Sequence, residues 1–141
     1  PAQALTCTPS VPRATCTAMK VHVKSTTSNV RGAKLSECYI AQANSSCTIS
    51  VAKTVTREIG LALGAQRAWV AGELSISSAT STTITSACTS PPLPKGSYYR
   101  AYAKYTKKTY TIQRYQRGPG GIKDETSGLL TAMNPTGIIC G

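Results

Sequence analysis

Hydrophobic and polar residues alternate along most of this chain, and the alternation predicts strands. From Met19 to Lys24 the apolar residues Met19, Val21 and Val23 take one register, and Lys20, His22 and Lys24 the other. That is the pattern of a half-buried strand with a wet basic face. Thr26 to Gly32 reads as a turn, and Lys34 to Ala43 as a second strand ending at Asn44-Ser45-Ser46. From Val51 the odd positions carry Val51, Lys53, Val55, Arg57, Ile59, Leu61 and Leu63, with Ala, Thr, Glu and Gly between them. The pattern resumes at Val70, Leu74 and Ile76 and again at Thr80, Thr82 and Ile84. A long β-hairpin over residues 48–86, turning near Gly64 to Ala68, accounts for this. A helix through Arg57 to Ala71 competes, since Ala and Leu favour it. Glycines at 60, 64 and 72 oppose it, each costing about 1 kcal/mol in a helix interior.

Prolines 91, 92 and 94 make a stiff connector after Cys88, because the residue before each proline is driven extended. Tyr98 to Tyr115 then predicts a second long β region with a turn near Thr106 to Lys108. Gly118-Pro119-Gly120-Gly121 breaks it, and a last strand is expected around Ser127 to Met133. No internal repeat is visible. The expectation is an all-β, mostly antiparallel fold: a single disulfide-stapled domain over 18–141 with long β-hairpins, preceded by an irregular N-terminal arm over 1–17.

The staples matter because the core is made of small residues. Hydrophobic residues are 40% of the 141, Phe is absent, and Ala and Val are frequent. A thin core gains from covalent crosslinks. Cys7, Cys16, Cys38, Cys47, Cys88 and Cys140 are even in number, and none forms a CxxC pair. With one His in the chain, a mixed Cys/His zinc site is poorly supported. An oxidised framework implies an extracellular or periplasmic location, and we expect a secreted, extracellular protein. Six cysteines admit fifteen pairings and the sequence selects none; we expect Cys7–Cys16, Cys38–Cys47 and Cys88–Cys140. Ala2-Gln3-Ala4 resembles the small-x-small site before a signal-peptidase cut, which would make residues 1–4 a remnant. No run reaches the roughly 20 apolar residues of a spanning helix.

Sixteen Lys and Arg against five acids give a net charge of +11. This favours acidic partners, among them anionic polymers. Catalytic constellations are weak. His22 has no nucleophile or carboxylate companion nearby in sequence, and Asp124-Glu125 reads as a solvated loop pair. Phosphate loops, dinucleotide fingerprints and nucleophile elbows are absent from the sequence. We expect no enzyme, no cofactor and no metal. Asn44-Ser45-Ser46 matches a glycosylation sequon, which matters only in a eukaryotic secretory path.

The strongest functional signal is a tyrosine-rich basic segment. Six of the seven tyrosines lie between Tyr98 and Tyr115, and Lys95 to Arg117 holds seven basic residues and no acid. Tyr98, Arg100, Tyr102 and Lys104 share one strand face by period two. Interleaved Tyr and Arg suit a protein interface. They also suit single-stranded nucleic acid, though that partner is not favoured. The 48–86 hairpin, rich in Ser and Thr, resembles the membrane hairpins of aerolysin-like pore formers, with Ile59 to Val70 as a tip. Against this, Lys53 and Arg57 share the register of Val51, Val55 and Ile59, and a charge facing lipid costs about 2–4 kcal/mol.

The stretch from Cys47 through Trp69 to Cys88-Thr89-Ser90-Pro91 carries a wider resemblance. With Gly96-Ser97-Tyr98-Tyr99-Arg100-Ala101-Tyr102 and the late Cys140, it resembles small secreted proteins of filamentous actinobacteria. Some of these are adaptor subunits of umbrella toxin particles. The resemblance implies an adaptor bridging a repeat-bearing toxin polypeptide and a lectin-like subunit in an antibacterial assembly. It also implies that the N-terminal segment docks into the lectin partner, which places Leu5, Thr6, Val11 and Arg13 in one docking surface. Tyr98, Arg100, Tyr102, Lys104 and Tyr105 would form the other. This reading expects no membrane partner.

Overall fold

In the computed structural model the described residues are 6–8 and 15–141. The expected processing site at Ala2–Ala4 lies outside them, as do residues 9–14 of the arm. The elements are β1 (Thr6–Thr8), β2 (Thr15–Tyr39), β3 (Thr48–Thr56), β4 (Glu58–Ile59), α1 (Arg67–Glu73), β5 (Ser81–Thr89), β6 (Tyr98–Gly118), β7 (Gly121–Thr126) and β8 (Leu130–Cys140). The fold is mostly antiparallel β with one short helix. A six-stranded sheet runs β1-β2-β6-β8-β4, with β7 also on β6; β3 and β5 pair separately as a two-stranded sheet.

Several expected boundaries are corrected. The turn expected at Thr26 to Gly32 is absent, and β2 runs unbroken for 25 residues. Asn29 at φ 58° absorbs the irregularity inside the strand. One left-handed residue in a strand is the signature of a bulge, and Asn tolerates that conformation. The turn expected at Thr106 to Lys108 is likewise absent from the 21-residue β6. Its buried residues fall in separate clusters, Ala101 and Ala103 in the second unit and Tyr110 and Ile112 in the first. Residues 15–17 of the expected irregular arm are paired backbone, Thr6 opposite Thr17 and Thr8 opposite Thr15. The last strand begins and ends later than expected, and β7 had no counterpart in the expected elements. Asp124 and Glu125 lie on β7, not in a loop.

The chain's contacts divide into two compact units. The first comprises residues 1–26, 58–78 and 108–132. Its core joins Val21, Ile59, Val70, Ala71, Leu74, Tyr110, Ile112 and Ala132, flanked by Met19, Trp69 and Ile76. Here the helix replaces the expected hairpin tip. Val70, Ala71 and Leu74 are buried on its inner side. Its C-terminus closes with Ser75 N donating to Gly72 O at 3.2 Å and Ile76 N to Ala71 O at 3.0 Å. Those bonds form a Schellman cap around Ser75 at φ 59°. Lys108 Nζ donates to Leu74 O at 2.8 Å, a cation where the last carbonyls need one. Tyr110, fully buried, donates its hydroxyl to Gly60 O at 2.5 Å.

The second unit comprises residues 27–57, 79–107 and 133–141. β3 and β5 pair over nine positions, from Thr48 opposite Thr89 to Thr56 opposite Ser81. Ile49, Val51, Val55 and Ile84 are buried in clusters with Ala101 and Ala103 of β6, and with Leu35 and Ile138. The opposite side of this hairpin pairs Thr48 with Thr89, Ser50 with Ala87, Ala52 with Thr85 and Thr54 with Thr83. These positions are exposed or nearly so. The expected pairs Cys38–Cys47 and Cys88–Cys140 are both formed. They tie the foot of the hairpin to β2 on one side and β8 on the other. Cys16 is disulfide-bonded. The backbone register sets it opposite Cys7, whose side chain lies outside the described residues. Arg57, expected on a hairpin face, is 7% exposed and follows β3. Its Nε donates to Asn134 Oδ1 at 2.8 Å and its Nη1 to Ala79 O at 2.9 Å.

Candidate partner-docking face

β6 positions the candidate site by simple alternation. Ala101 and Ala103 point inward and are fully buried. Their small side chains let the hairpin approach closely. Tyr98, Arg100, Tyr102 and Lys104 therefore occupy the outer register of the second unit. Tyr105 does not join them: it packs with Val55, Ile84 and Ala103 on the inner side. Of the expected arm residues, Leu5, Val11 and Arg13 lie outside the described residues, and Thr6 is described only as backbone of β1.

β2 completes the face with residues that the sequence pattern had not assigned to it. Tyr39 meets Tyr98 with ring centroids 5.1 Å apart at 53°. The Arg100 guanidinium carbon lies 5.3 Å from the centroid of Tyr98, and that of Arg31 lies 4.6 Å from Tyr102. Glu37 takes Lys34 Nζ at 3.0 Å and Arg100 Nε at 3.1 Å. The Lys34 ammonium, with help from Arg100, holds the Glu37 carboxyl below the usual carboxylate range. Lys104 lies along β8: a Cβ at Gly137 would be 3.6 Å from its Cε. Signals for these additions existed, since Glu37 and Tyr39 flank Cys38 in strand alternation. The register between β2 and β6 did not follow from sequence.

Each exposed cation–ring contact is worth about 0.5–1 kcal/mol, and the solvent-screened ion pairs of Glu37 add little to stability. Their larger effect is to hold long side chains in place, so that binding loses less side-chain entropy. Tyr39 and Tyr98 are each 50% exposed, leaving ring surface for a partner. The second unit carries eight basic residues and one acid, Glu37. That acid is already engaged by two cations, so the face presents net positive charge.

Elsewhere, His22 Nε2 and Gln113 Oε1 lie 2.7 Å apart, and Gln113 Nε2 donates to Asp124 Oδ1 at 2.8 Å. This bridge links β2, β6 and β7 within the first unit. Arg114 pairs with Glu125 at 3.0 Å. Among the described residues no cluster of three or more His, Cys, Asp or Glu could hold a metal ion. No helix among them is long and apolar enough to cross a membrane. The two disulfides are consistent with an extracellular protein. Comparison with known protein families and with curated proteins finds no match to the chain.

Proposed function

We propose that this protein is a secreted, non-enzymatic adaptor that grips partner proteins through the tyrosine–arginine face of β2 and β6. By the resemblance drawn from its sequence, the assembly is an extracellular antibacterial particle of the umbrella type. Its partners would be a repeat-bearing toxin polypeptide and a lectin-like subunit. The observation that carries the reading is the set Tyr39, Tyr98, Arg100, Arg31 and Tyr102, stacked and ion-paired, with the Tyr39 and Tyr98 rings half open to solvent. Aromatic and guanidinium groups fixed in this way resemble the anchors of protein interfaces. The test is association with the larger secreted proteins that copurify with the native material. Tyr98→Ala with Arg100→Ala is expected to weaken it at least tenfold while the thermal midpoint stays within a few degrees. Unchanged association in that variant rejects the face.

A second reading has one observation in its favour. β3 and β5 form a separate two-stranded sheet, apolar toward the core and hydroxyl-rich outward. An amphipathic hairpin of a membrane-active toxin has that character. The two disulfides at its foot and the charge of Lys53 weigh against it. Binding of an anionic polymer is the third reading, favoured by the excess of cations in the second unit.

A further inference from the structure

We propose that Lys20, His22 and Lys24 of β2 form a binding site, separate from the docking face, for the backbone of a linear phosphodiester polymer. The site lies in the first unit and does not rest on the adaptor reading. Met19 packs against the core and Val21 is 3% exposed, so alternation turns Lys20, His22 and Lys24 to the opposite face. β2 holds no acid between Thr15 and Gly32. Lys20 and Lys24 are exposed, and among the described residues neither is engaged in an ion pair or hydrogen bond. On the docking face, by contrast, Arg31, Lys34 and Arg100 are already partnered. Neighbours in the row stand two residues apart, roughly 6.8 Å along a strand. That step spans six main-chain bonds, and a phosphodiester polymer with three carbons between phosphates also repeats every six bonds. The two extended chains therefore run side by side with a phosphate near each cation, and the contacts read phosphate rather than base or sugar.

The middle member of the row is set by its neighbours. Gln113 Nε2 donates to Asp124 Oδ1 at 2.8 Å. A carboxylate only accepts, so the Gln113 amide is oriented with its carbonyl oxygen toward His22. His22 Nε2, 2.7 Å from that oxygen, therefore carries a proton. Nδ1 is left as the atom that gains one in acid, and it has no partner among the described residues. Histidine changes charge between about pH 5 and 8, so mild acid adds a third cation to the row without breaking the bridge. Facing His22 are Lys20 and Lys24 on its own strand, Tyr115 and Arg117 in the register of Gln113 on β6, and Asp124 on β7. Asp124 is the one acid in that set and is bonded to Gln113. Cations aligned on one face repel one another, and a bound polyanion relieves that repulsion, more so once His22 is charged.

The test uses the whole disulfide-bonded protein and two nine-unit probes, oligothymidylate and its abasic counterpart, whose phosphodiesters stay charged throughout. Affinity is measured over a range of salt at about pH 8 and about pH 5.5. The two probes are expected to bind alike. Binding should tighten severalfold in acid, and its slope of log affinity on log salt should steepen by about 0.7, the share of one phosphate contact. His22→Gln is expected to abolish that gain. Lys20→Gln with Lys24→Gln should weaken binding at least tenfold, with the thermal midpoint unchanged within a few degrees. Lys53→Gln with Lys95→Gln, a pair of exposed lysines in the second unit, should change it less than twofold. Equal losses in the two lysine pairs, or an acid gain that persists in His22→Gln, overturn the site. So does thymidylate binding tenfold tighter than the abasic probe, which would mean that bases are stacked. Failure of both probes to bind overturns it as well.

Discussion

At Ser75 a single residue holds a backbone conformation that glycine adopts more easily. It sits at φ 59° in the cap of α1, with both cap hydrogen bonds made around it. An L-residue in the left-handed region is disfavoured by roughly 1 kcal/mol. Ser75→Gly is therefore expected to stabilise the protein by up to about 1 kcal/mol in urea unfolding. A fall in stability would mean that the serine side chain holds the cap. Tyr110 offers a test with a pH signature. Burial pushes its phenol pKa above the ordinary value of 10.0, and the proton it donates to Gly60 O also favours the neutral form. A raised folded pKa means that the unfolded chain loses this proton first. The stabilising contribution is full below about pH 10 and declines as pH rises toward the folded value. Tyr110→Phe removes a buried hydroxyl and should destabilise by about 1–2 kcal/mol near neutrality. It should also flatten the alkaline decline, as followed by thermal midpoints across pH 9–11.

At the scale of elements, the hairpin and its crosslinks dominate. Cys38–Cys47 closes a separation of 9 residues and Cys88–Cys140 one of 52. In the chain-entropy view the first contributes roughly 2.5 kcal/mol and the second roughly 4 kcal/mol. Replacing both members of each pair with Ala should show that order in denaturant midpoints, the longer loop losing more. Equal losses would mean that local packing, not loop closure, sets the contribution. Both pairs are the expected ones, although the sequence left fifteen pairings open; the alternation that turns Ala101 and Ala103 inward was legible in advance. The helix was not, for a physical reason. Val70 and Leu74 are four apart, and positions four apart share a face in a strand and in a helix alike. Only the full burial of the adjacent Ala71 separates the two readings, and burial is not written in the residue itself. The continuity of β2 was hidden in a similar way. Thr26 to Gly32 has a turn-like composition, yet one Asn at φ 58° lets the strand pass through. The partners of Tyr98 and Tyr102 stayed out of reach because a one-residue change of register exchanges every facing pair.

For the molecule as a whole, the two sides of the β3–β5 hairpin separate the adaptor from the membrane-active reading. A hairpin that enters lipid must leave the sheet it packs against, exposing Ile49, Val51, Val55 and Ile84. Here disulfides bind its foot to β2 and to β8, so the base of the hairpin cannot separate from them while the bonds are intact. Lys53, opposite Ile84, lies in the register of Val51 and Val55, and a lysine at mid-depth costs about 2–4 kcal/mol. The oxidised protein is therefore expected to release no dye from neutral liposomes. On anionic vesicles it should bind through charge alone, with affinity falling steeply as salt rises because exposed charges are screened within about 10 Å at 0.1 M. Leakage from neutral vesicles by the fully oxidised protein would overturn the adaptor reading. Leakage confined to thiol-reduced samples would instead identify the two crosslinks as what holds the hairpin against its sheet.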